Sequence, residues 1–420
     1  MVSCRVWNDT QGPSRVLGNG NDHAEAEKRE AVMAQDWTGK HWSTGETITV
    51  TTEEGIVTAI ASLASETDQW IAPGLIDVQV NGMGGFNLNG GTPSPENVRG
   101  TLAALHRDGV TRFCPTIVTA TRESIIASVG AVVEACEADD LVDYSIIGIH
   151  IEGPFISPED GPRGAHNAAW VRPPDWSEFL DWQTAAKGRI RKVTLAPEWP
   201  GAIDFIEKLC KTGVVAAIGH SAASVEDIKA AVDAGATMAT HLGNGAHSLI
   251  KRHPNYIWAQ LAEDRQWAGL IPDGFHLPPT TLKVMIRTKG RKAILTSDAS
   301  YLAQMPAGRY STHHGKDVVL EPSGMLHLAT TIDILAGSAL TLRRGLQNVA
   351  NFGILPLGEA IDLATLHPAE LFGLDESGVG TLRVGGPADL VTYRWDEDSA
   401  VGEMAITNTV ARGELVYAAE

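Results

Sequence analysis

A chain of 420 residues with a formal net charge of -18 is too long for one small domain and too acidic for a nucleic-acid or anionic-membrane partner. A phosphorylated small substrate stays open, because it needs only a local basic pocket. The four cysteines, Cys4, Cys114, Cys136 and Cys210, form no close pair, no apolar run approaches a membrane span, and the N-terminus lacks an apolar signal core. The expectation is a cytoplasmic protein with reduced thiols.

In chain order, residues 1–35 are polar and weakly patterned, and read as a loose extension or a short surface helix. From Glu46, "ETITVTTEEGIVTAIASL" alternates around a Glu-Glu-Gly turn, the pattern of a hairpin. Near the C-terminus, "GTLRVGGPADLVTYRW" and "AITNTVARGELVY" are β-like segments with glycine turns. Residues 36–72 together with 372–420 therefore read as one small sheet domain built from both ends.

Residues 73–371 and their leading edge repeat a theme: a β-branched apolar run ends in polar residues and a helical pattern follows. The runs are "WIAPGLIDVQV", "VTRFCPTIVTA", "YSIIGIHIEGP", "RKVTLAPE", "VVAAIGHS", "ATMATHLGN", "WAGLIPDGFH" and "KAILTSDAS". Amphipathic stretches such as "SPENVRGTLAALHRDG", "AIDFIEKLCKTG" and "SVEDIKAAVDAG" separate them. Strands alternating with helices in this number predict a (β/α)8 barrel, whose active site lies at the C-terminal ends of the strands. An open doubly wound sheet fits less well, because polar strand ends occur along the whole series rather than at one crevice.

Those ends are chemically rich. The first strand delivers Gln79 and Asn81, the third Glu152, the fifth His220, the sixth His241 and Asn244, the seventh Asp273 and His276, the eighth Asp298. A carboxylate at the end of the buried run "IIGIHIE" is costly unless something offsets its desolvation. Glu152, His220 and His241 form a common catalytic zinc set with one position open, and Asp298 is then the free carboxylate that takes a proton from water. Singly, each residue has a plainer role: a hydrogen-bonded histidine, a salt-bridged glutamate, a helix-capping aspartate. Their order along one barrel makes the plainer roles hard to hold for all four. His150 shares the face of Glu152 and reads as a hydrogen-bonding residue of the barrel interior.

Around these residues the sequence resembles the N-acetylglucosamine-6-phosphate deacetylase family of the amidohydrolase superfamily. The stretches that carry the resemblance are "APGLIDVQVNGMGGFNLN", "GIHIEGPFISPEDGPRGAH", "VTLAPE", "IGHSAASVEDIKAAVDAGATMATHLGN", "DGFH", "TSDAS", "LAGSALTL" and "GTLRVGGPADLV". The resemblance implies a TIM-type barrel with a small β-sandwich domain. It implies metal ligands at Glu152, His220 and His241, an acid/base at Asp298 and a carbonyl-polarising histidine at His166. It implies substrate-binding positions at Asn244, Gly245, Arg252 and His276, with Arg252 reaching the neighbouring active site of a homodimer. Where many amidohydrolases carry His-x-His, the first strand reads Gln79-Val80-Asn81. Amides are poor zinc ligands, so one divalent metal per subunit is expected, with zinc the default, iron, manganese or cobalt as substitutes, and Gln79 hydrogen-bonded to water at the metal.

The sequence departs from the family in the loop after the sixth strand. Gly243-Asn244-Gly245-Ala246-His247 stands where the family has an aromatic residue and then Asn-Ala-Met, and Arg252-His253-Pro254-Asn255 where it has Arg-Glu-Pro-Gly. Gly243 implies a wider pocket, and His247 and His253 are candidate additional phosphate donors. The expected reaction is hydrolysis of N-acetylglucosamine 6-phosphate to acetate and the amine. The alternatives are N-acetylgalactosamine 6-phosphate, an unphosphorylated N-acetyl sugar or an N-acyl amino acid. A cyclic amidase is disfavoured because the fourth strand ends in "TLAPE" without a bridging lysine. A non-catalytic barrel would be expected to have lost a ligand or Asp298.

Overall fold

The structure, a computed structural model, describes residues 34–312, 317–396 and 402–420. The expected N-terminal extension, apart from its last two residues, lies outside the described residues, as does Cys4.

Eight parallel strands lie side by side in chain order: Leu75–Val80, Val110–Val118, Ile149–Glu152, Ile190–Leu195, Val215–Ile218, Met238–Ala239, Trp267–Leu270 and Ala293–Leu295. The sheet closes between the first and eighth strands through a parallel pairing of Val80 with Ala299. Helices Pro95–Arg107, Arg122–Ala138, Trp176–Ala185, Ala202–Lys211, Val225–Asp233, Tyr256–Ala262, Pro279–Lys289 and Leu342–Asn351 follow the strands in turn. The TIM-type barrel expected from the alternating pattern is the observed fold.

The helices form where spacing and caps agree. In Ala202–Lys211 the buried residues are Ala202, Phe205, Ile206 and Leu209, an i, i+3, i+4, i+7 stripe turned to the barrel. In Val225–Asp233 the Ser224 hydroxyl accepts from the Asp227 amide while the Asp227 carboxylate accepts from the Ser224 amide, a reciprocal capping box. No described helix is long and apolar enough to cross a membrane.

The barrel strands also bury a hydrogen-bonded polar cluster. His150 hydrogen-bonds Thr116 Oγ1 through Nδ1 at 3.2 Å and Thr194 Oγ1 through Nε2 at 2.7 Å, and Thr194 Oγ1 meets Thr240 Oγ1 at 2.7 Å. This is the interior role the sequence suggested for His150. The fourth strand does carry a buried lysine, but Lys192 lies upstream of the strand end, and its ammonium donates to the Val78 carbonyl at 2.9 Å.

Both chain ends build one seven-stranded sheet, from Gln35–His41, Thr47–Glu53, Ile56–Ser62 and Gln69–Pro73 with Leu390–Arg394, Ala405–Ala411 and Glu414–Ala418. Ile48, Val50 and Val57 from one end of the sheet share a core with Leu390 and Val410 from the other, so the sheet curls over its own apolar face. The Glu54-Gly55 turn has φ of 50° and 82°, as a tight two-residue hairpin requires. The expectation for the C-terminal part needs correction in detail. "GTLRVGG" forms turns rather than a strand, and Phe372 and Val379 pack beneath the barrel against Ile76, Val78 and Cys114.

A second element is absent from the sequence reading. Between the eighth strand and helix Leu342–Asn351 the chain makes a four-stranded antiparallel sheet, Gly308–Ser311, Asp317–Leu320, Leu326–Leu328 and Thr331–Leu335. Val318, Leu320 and Leu326 bury one face against Leu302 and Ala339. Strands of three to five residues offer too few alternations to stand out in a sequence.

Candidate active site

Glu152 ends the third strand, His220 and His241 follow the fifth and sixth strands by two residues, and the barrel brings atoms able to ligate a metal within 4.8 Å of one another, all buried. His241 Nε2 lies 3.0 Å from Glu152 Oε1 and 3.0 Å from His220 Nε2, and His220 Nε2 lies 3.4 Å from the same carboxylate oxygen. Two imidazole nitrogens at such a separation repel as bare lone pairs, so a proton or a cation must lie between them. His220 Nδ1 is 2.8 Å from the Pro162 carbonyl, which can only accept, so in the neutral ring Nε2 carries the lone pair. Two nitrogens and one carboxylate oxygen, buried and pre-oriented, fit a divalent metal with an open position.

The backbone at the site is unusual. His220, His241 and Asp298 have φ of 51°, 28° and 49°, three of the seven non-glycine residues with left-handed φ among the described residues. Such conformations are costly and concentrate where a side chain must be aimed. Gly245 (φ 55°) allows the loop to cross the site, because a Cβ there would stand 2.6 Å from His220 Nδ1.

Asp298 faces the ligand cluster across two amides. Gln79 Nε2 donates to Glu152 Oε1 at 2.8 Å and to Asp298 Oδ1 at 3.0 Å, and Asn81 Nδ2 donates to Asp298 Oδ1 at 2.8 Å. The amide oxygens Gln79 Oε1 and Asn81 Oδ1 are buried without hydrogen-bond partners. Burial and the Glu152 charge raise the Asp298 carboxyl above its ordinary value, outweighing the nearby His241 and His276 and the Asn81 hydrogen bond. For Glu152 burial also acts upward, but hydrogen bonds from His220 and His241 prevail and hold it well below the carboxylate range. The two carboxyls are thus driven apart, the pattern expected of a ligand beside an acid/base.

His166 stands above the cluster, with Nε2 3.3 Å from His220 Nε2 and Nδ1 2.7 Å from Thr119 Oγ1. His276 is fixed by Asp273, whose Oδ2 meets its Nδ1 at 2.6 Å and whose Oδ1 accepts the Phe275 and His276 amides at 2.8 Å each. Burial opposes protonation of His276, but the hydrogen bond and charge of Asp273 raise its pKa overall.

The loop from Gly243 to Asn255 differs from what the sequence suggested. Gly243 does not widen a pocket: a Cβ there would meet Met285 Cε at 2.9 Å and Leu277 Cδ2 at 3.1 Å, so the space is already filled. His247 spends both ring nitrogens on protein partners, Nε2 on Glu159 at 3.0 Å and Nδ1 on the Tyr256 hydroxyl at 3.1 Å. It ties this loop to the loop that carries His166 and is no phosphate donor as it stands. Arg252 and His253 are exposed.

A chain with this barrel and this ligand set also matches known proteins. The amidohydrolase family model matches residues 70–416. The chain belongs to the amidohydrolase family. It is 32% identical over 403 residues to N-acetylglucosamine-6-phosphate deacetylase of Vibrio furnissii, covering 94% of this chain and 96% of that one. It is 32% identical over 345 residues to N-acetylgalactosamine-6-phosphate deacetylase of Escherichia coli O157:H7, covering 80% and 88%. The structure of a point mutant of N-acetyl-D-glucosamine-6-phosphate deacetylase from Mycobacterium smegmatis, in complex with N-acetyl-D-glucosamine-6-phosphate, aligns with a TM-score of 0.79 at 29% identity, covering 92% of this chain and 99% of that one. The resemblance to the N-acetylglucosamine-6-phosphate deacetylase family is thereby established.

This amidohydrolase brings together Glu152, His220, His241, Asp298, Gln79 and His166 by direct contacts, while Arg252 extends to solvent. The sequence reading missed Thr119, whose only signal was a hydroxyl at the end of the second strand. It missed Glu198 of "TLAPE", which accepts from Ser221 Oγ at 2.8 Å and the Ala222 amide at 2.7 Å and so braces the chain just after His220.

Proposed function

We propose that the protein is a metal-dependent deacetylase that hydrolyses the acetamide of N-acetylglucosamine 6-phosphate to acetate and glucosamine 6-phosphate. The observation that carries the reading is the buried Glu152, His220 and His241 cluster with a non-ligand carboxylate, Asp298, joined to it through Gln79. The names of the relatives supply the substrate class.

The ion would be held by Glu152, His220 and His241, and zinc is the first choice for two imidazoles and a carboxylate, with iron, manganese or cobalt as substitutes. When bound it supplies Lewis acidity that activates water and polarises the amide carbonyl. Asp298 takes the proton from the attacking water and returns it to the departing nitrogen, a role suited to a carboxyl raised above its usual range. His166, oriented by Thr119, donates toward the carbonyl oxygen. Gln79 and Asn81 hold the Asp298 carboxylate in one orientation. Asn244, Gly245, His276 and Arg252 bind the sugar phosphate, and Arg252, being exposed, fits a role across a homodimer interface. The setting is cytoplasmic.

A second substrate, N-acetylgalactosamine 6-phosphate, is favoured by one observation: a relative with that name is 32% identical to this chain. The test is acetate release from both sugar phosphates by metal-analysed protein, before chelation, after chelation and after readdition of zinc. Turnover that disappears and returns with the metal supports the reading. Turnover indifferent to chelation removes the metal from it.

A further inference from the structure

Three layers of contact close the barrel between its first and eighth strands, and only the top one is a strand pairing. At the bottom the chain segment Leu363–Ala364 fills the gap: Ile76 donates to the Ala364 carbonyl at 2.8 Å and Leu295 to the Leu363 carbonyl at 2.9 Å. At the top Val80 pairs with Ala299, and Asn81 donates to the Ala299 carbonyl at 2.8 Å. Between them a side chain does what a ladder would do. Asp77 is fully buried, and its Oδ1 accepts from Thr296 Oγ1 at 2.7 Å, from the Ser297 amide at 3.2 Å and from the Gln79 amide at 3.3 Å. Its Oδ2 lies 3.3 Å from the same Ser297 amide.

The residues this carboxylate holds flank the chemistry. Ser297 immediately precedes Asp298, whose left-handed backbone (φ 49°) must be kept in place by its neighbours. Gln79 is one of the two amides that bind Asp298 Oδ1. Asp77 therefore joins, through one buried group, the backbone that aims Asp298 and the backbone that aims its hydrogen-bond donor.

We infer that Asp77 is a positioning residue: its carboxylate replaces the missing middle rung of the barrel seam and fixes Asp298 relative to Gln79 and the ligand cluster. Asp77 touches no substrate and acts through Asp298. The inference rests on the deacetylase reading for the step affected, but its geometric part stands without it.

The test uses Asp77→Asn, Asp77→Ala and Thr296→Val in the full-length, metal-loaded protein. Three quantities are read: metal content, the split between kcat and KM for acetate release, and the crystallographic position of the Asp298 carboxylate. Asparagine keeps one acceptor oxygen, alanine none, and Thr296→Val removes one donor while sparing Asp77. The expected order of kcat is wild type, Thr296→Val, Asp77→Asn, Asp77→Ala. The loss at Asp77→Asn is about 10- to 100-fold, the scale of a sub-ångström to 1 Å misplacement of a reacting group, with KM within about twofold and full metal content. Asp298 is expected to leave its hydrogen bond to Asn81 in the Asp77 variants. Should Asp77→Ala not fold, the other two variants decide. Asp298 unmoved with kcat unchanged overturns the inference, as does a loss of activity that follows loss of metal. If wild type turns over neither sugar phosphate, the deacetylase reading fails, and the crystallographic arm still decides the role of Asp77.

Discussion

At the ends of the third, fifth and sixth barrel strands, each side chain is buried and held by its neighbours: Glu152 by Gln79 and His241, His220 by the Pro162 carbonyl. In the loop from residue 248 to 254, a few residues beyond His241, every side chain is exposed, Leu249 to 91%. The first region carries chemistry that requires fixed geometry and low dielectric. The second is where the proposed function puts recognition, which needs side chains that a substrate or a partner subunit can reach. Under the proposed function the reaction type and the substrate are set by separate parts of this fold, so substitutions in the two regions should fail in different ways.

The largest expected effect is at the strand ends. Asp298→Asn should lower kcat by about a thousandfold with little change in metal content, the scale of general acid–base catalysis. The base must be ionised to act, so the acid limb of the wild-type kcat/KM profile should be absent from the residual activity of Asp298→Asn. An unchanged acid limb in the variant would count against Asp298 as the base. His241→Ala should abolish stoichiometric metal binding, read by elemental analysis. Retention of a full equivalent would mean that other atoms hold the ion.

The barrel seam gives a stability prediction of intermediate size. Burial raises Asp77 from 3.8 to about 6. The folded protein then binds the proton more tightly than the unfolded chain, so this group's contribution is fully present below pH 4 and is lost as pH rises through 6. A shift of this size corresponds to about 3 kcal/mol. Asp77→Asn should therefore gain stability relative to wild type between pH 4 and pH 7 in denaturant titrations, even while it loses activity. Parallel stability curves would contradict the assignment.

Smaller effects belong to the loops. His276→Ala should raise KM for the sugar phosphate by about 10- to 100-fold, the value of a charged hydrogen bond, and less for the unphosphorylated sugar. Equal losses on both sugars would remove His276 from phosphate recognition. His247→Ala breaks a partly exposed hydrogen bond between two loops and should alter KM by no more than about fivefold. A larger change would make the His247 to Glu159 clasp part of the site itself.

Legibility in the sequence follows the same division. The barrel was readable because each β-branched run of a buried parallel strand ends in a polar residue and is followed by helical spacing, as in "VVAAIGHS" before "SVEDIKAAVDAG". The convergence of Glu152, His220 and His241 was readable because barrel closure brings strand ends together whatever their separation in sequence. Asp77 was visible only as part of "PGLID", since nothing in a sequence tells which strands fail to pair at a seam. The four-stranded sheet from Gly308 to Leu335 was hidden by the shortness of its strands. The filled space beside Gly243 depends on Met285 and Leu277, dozens of residues away, and no local pattern encodes it.

The most direct test of the central claim is acetate release by zinc-loaded protein from N-acetylglucosamine 6-phosphate, beside N-acetylglucosamine and N-acetylgalactosamine 6-phosphate, in wild type and Asp298→Asn. The account predicts turnover of the glucosamine phosphate, far slower turnover of the unphosphorylated sugar, and near-complete loss in the variant. Turnover of no sugar by fully metallated protein would contradict it, and would assign the Glu152, His220 and His241 site to a different amide.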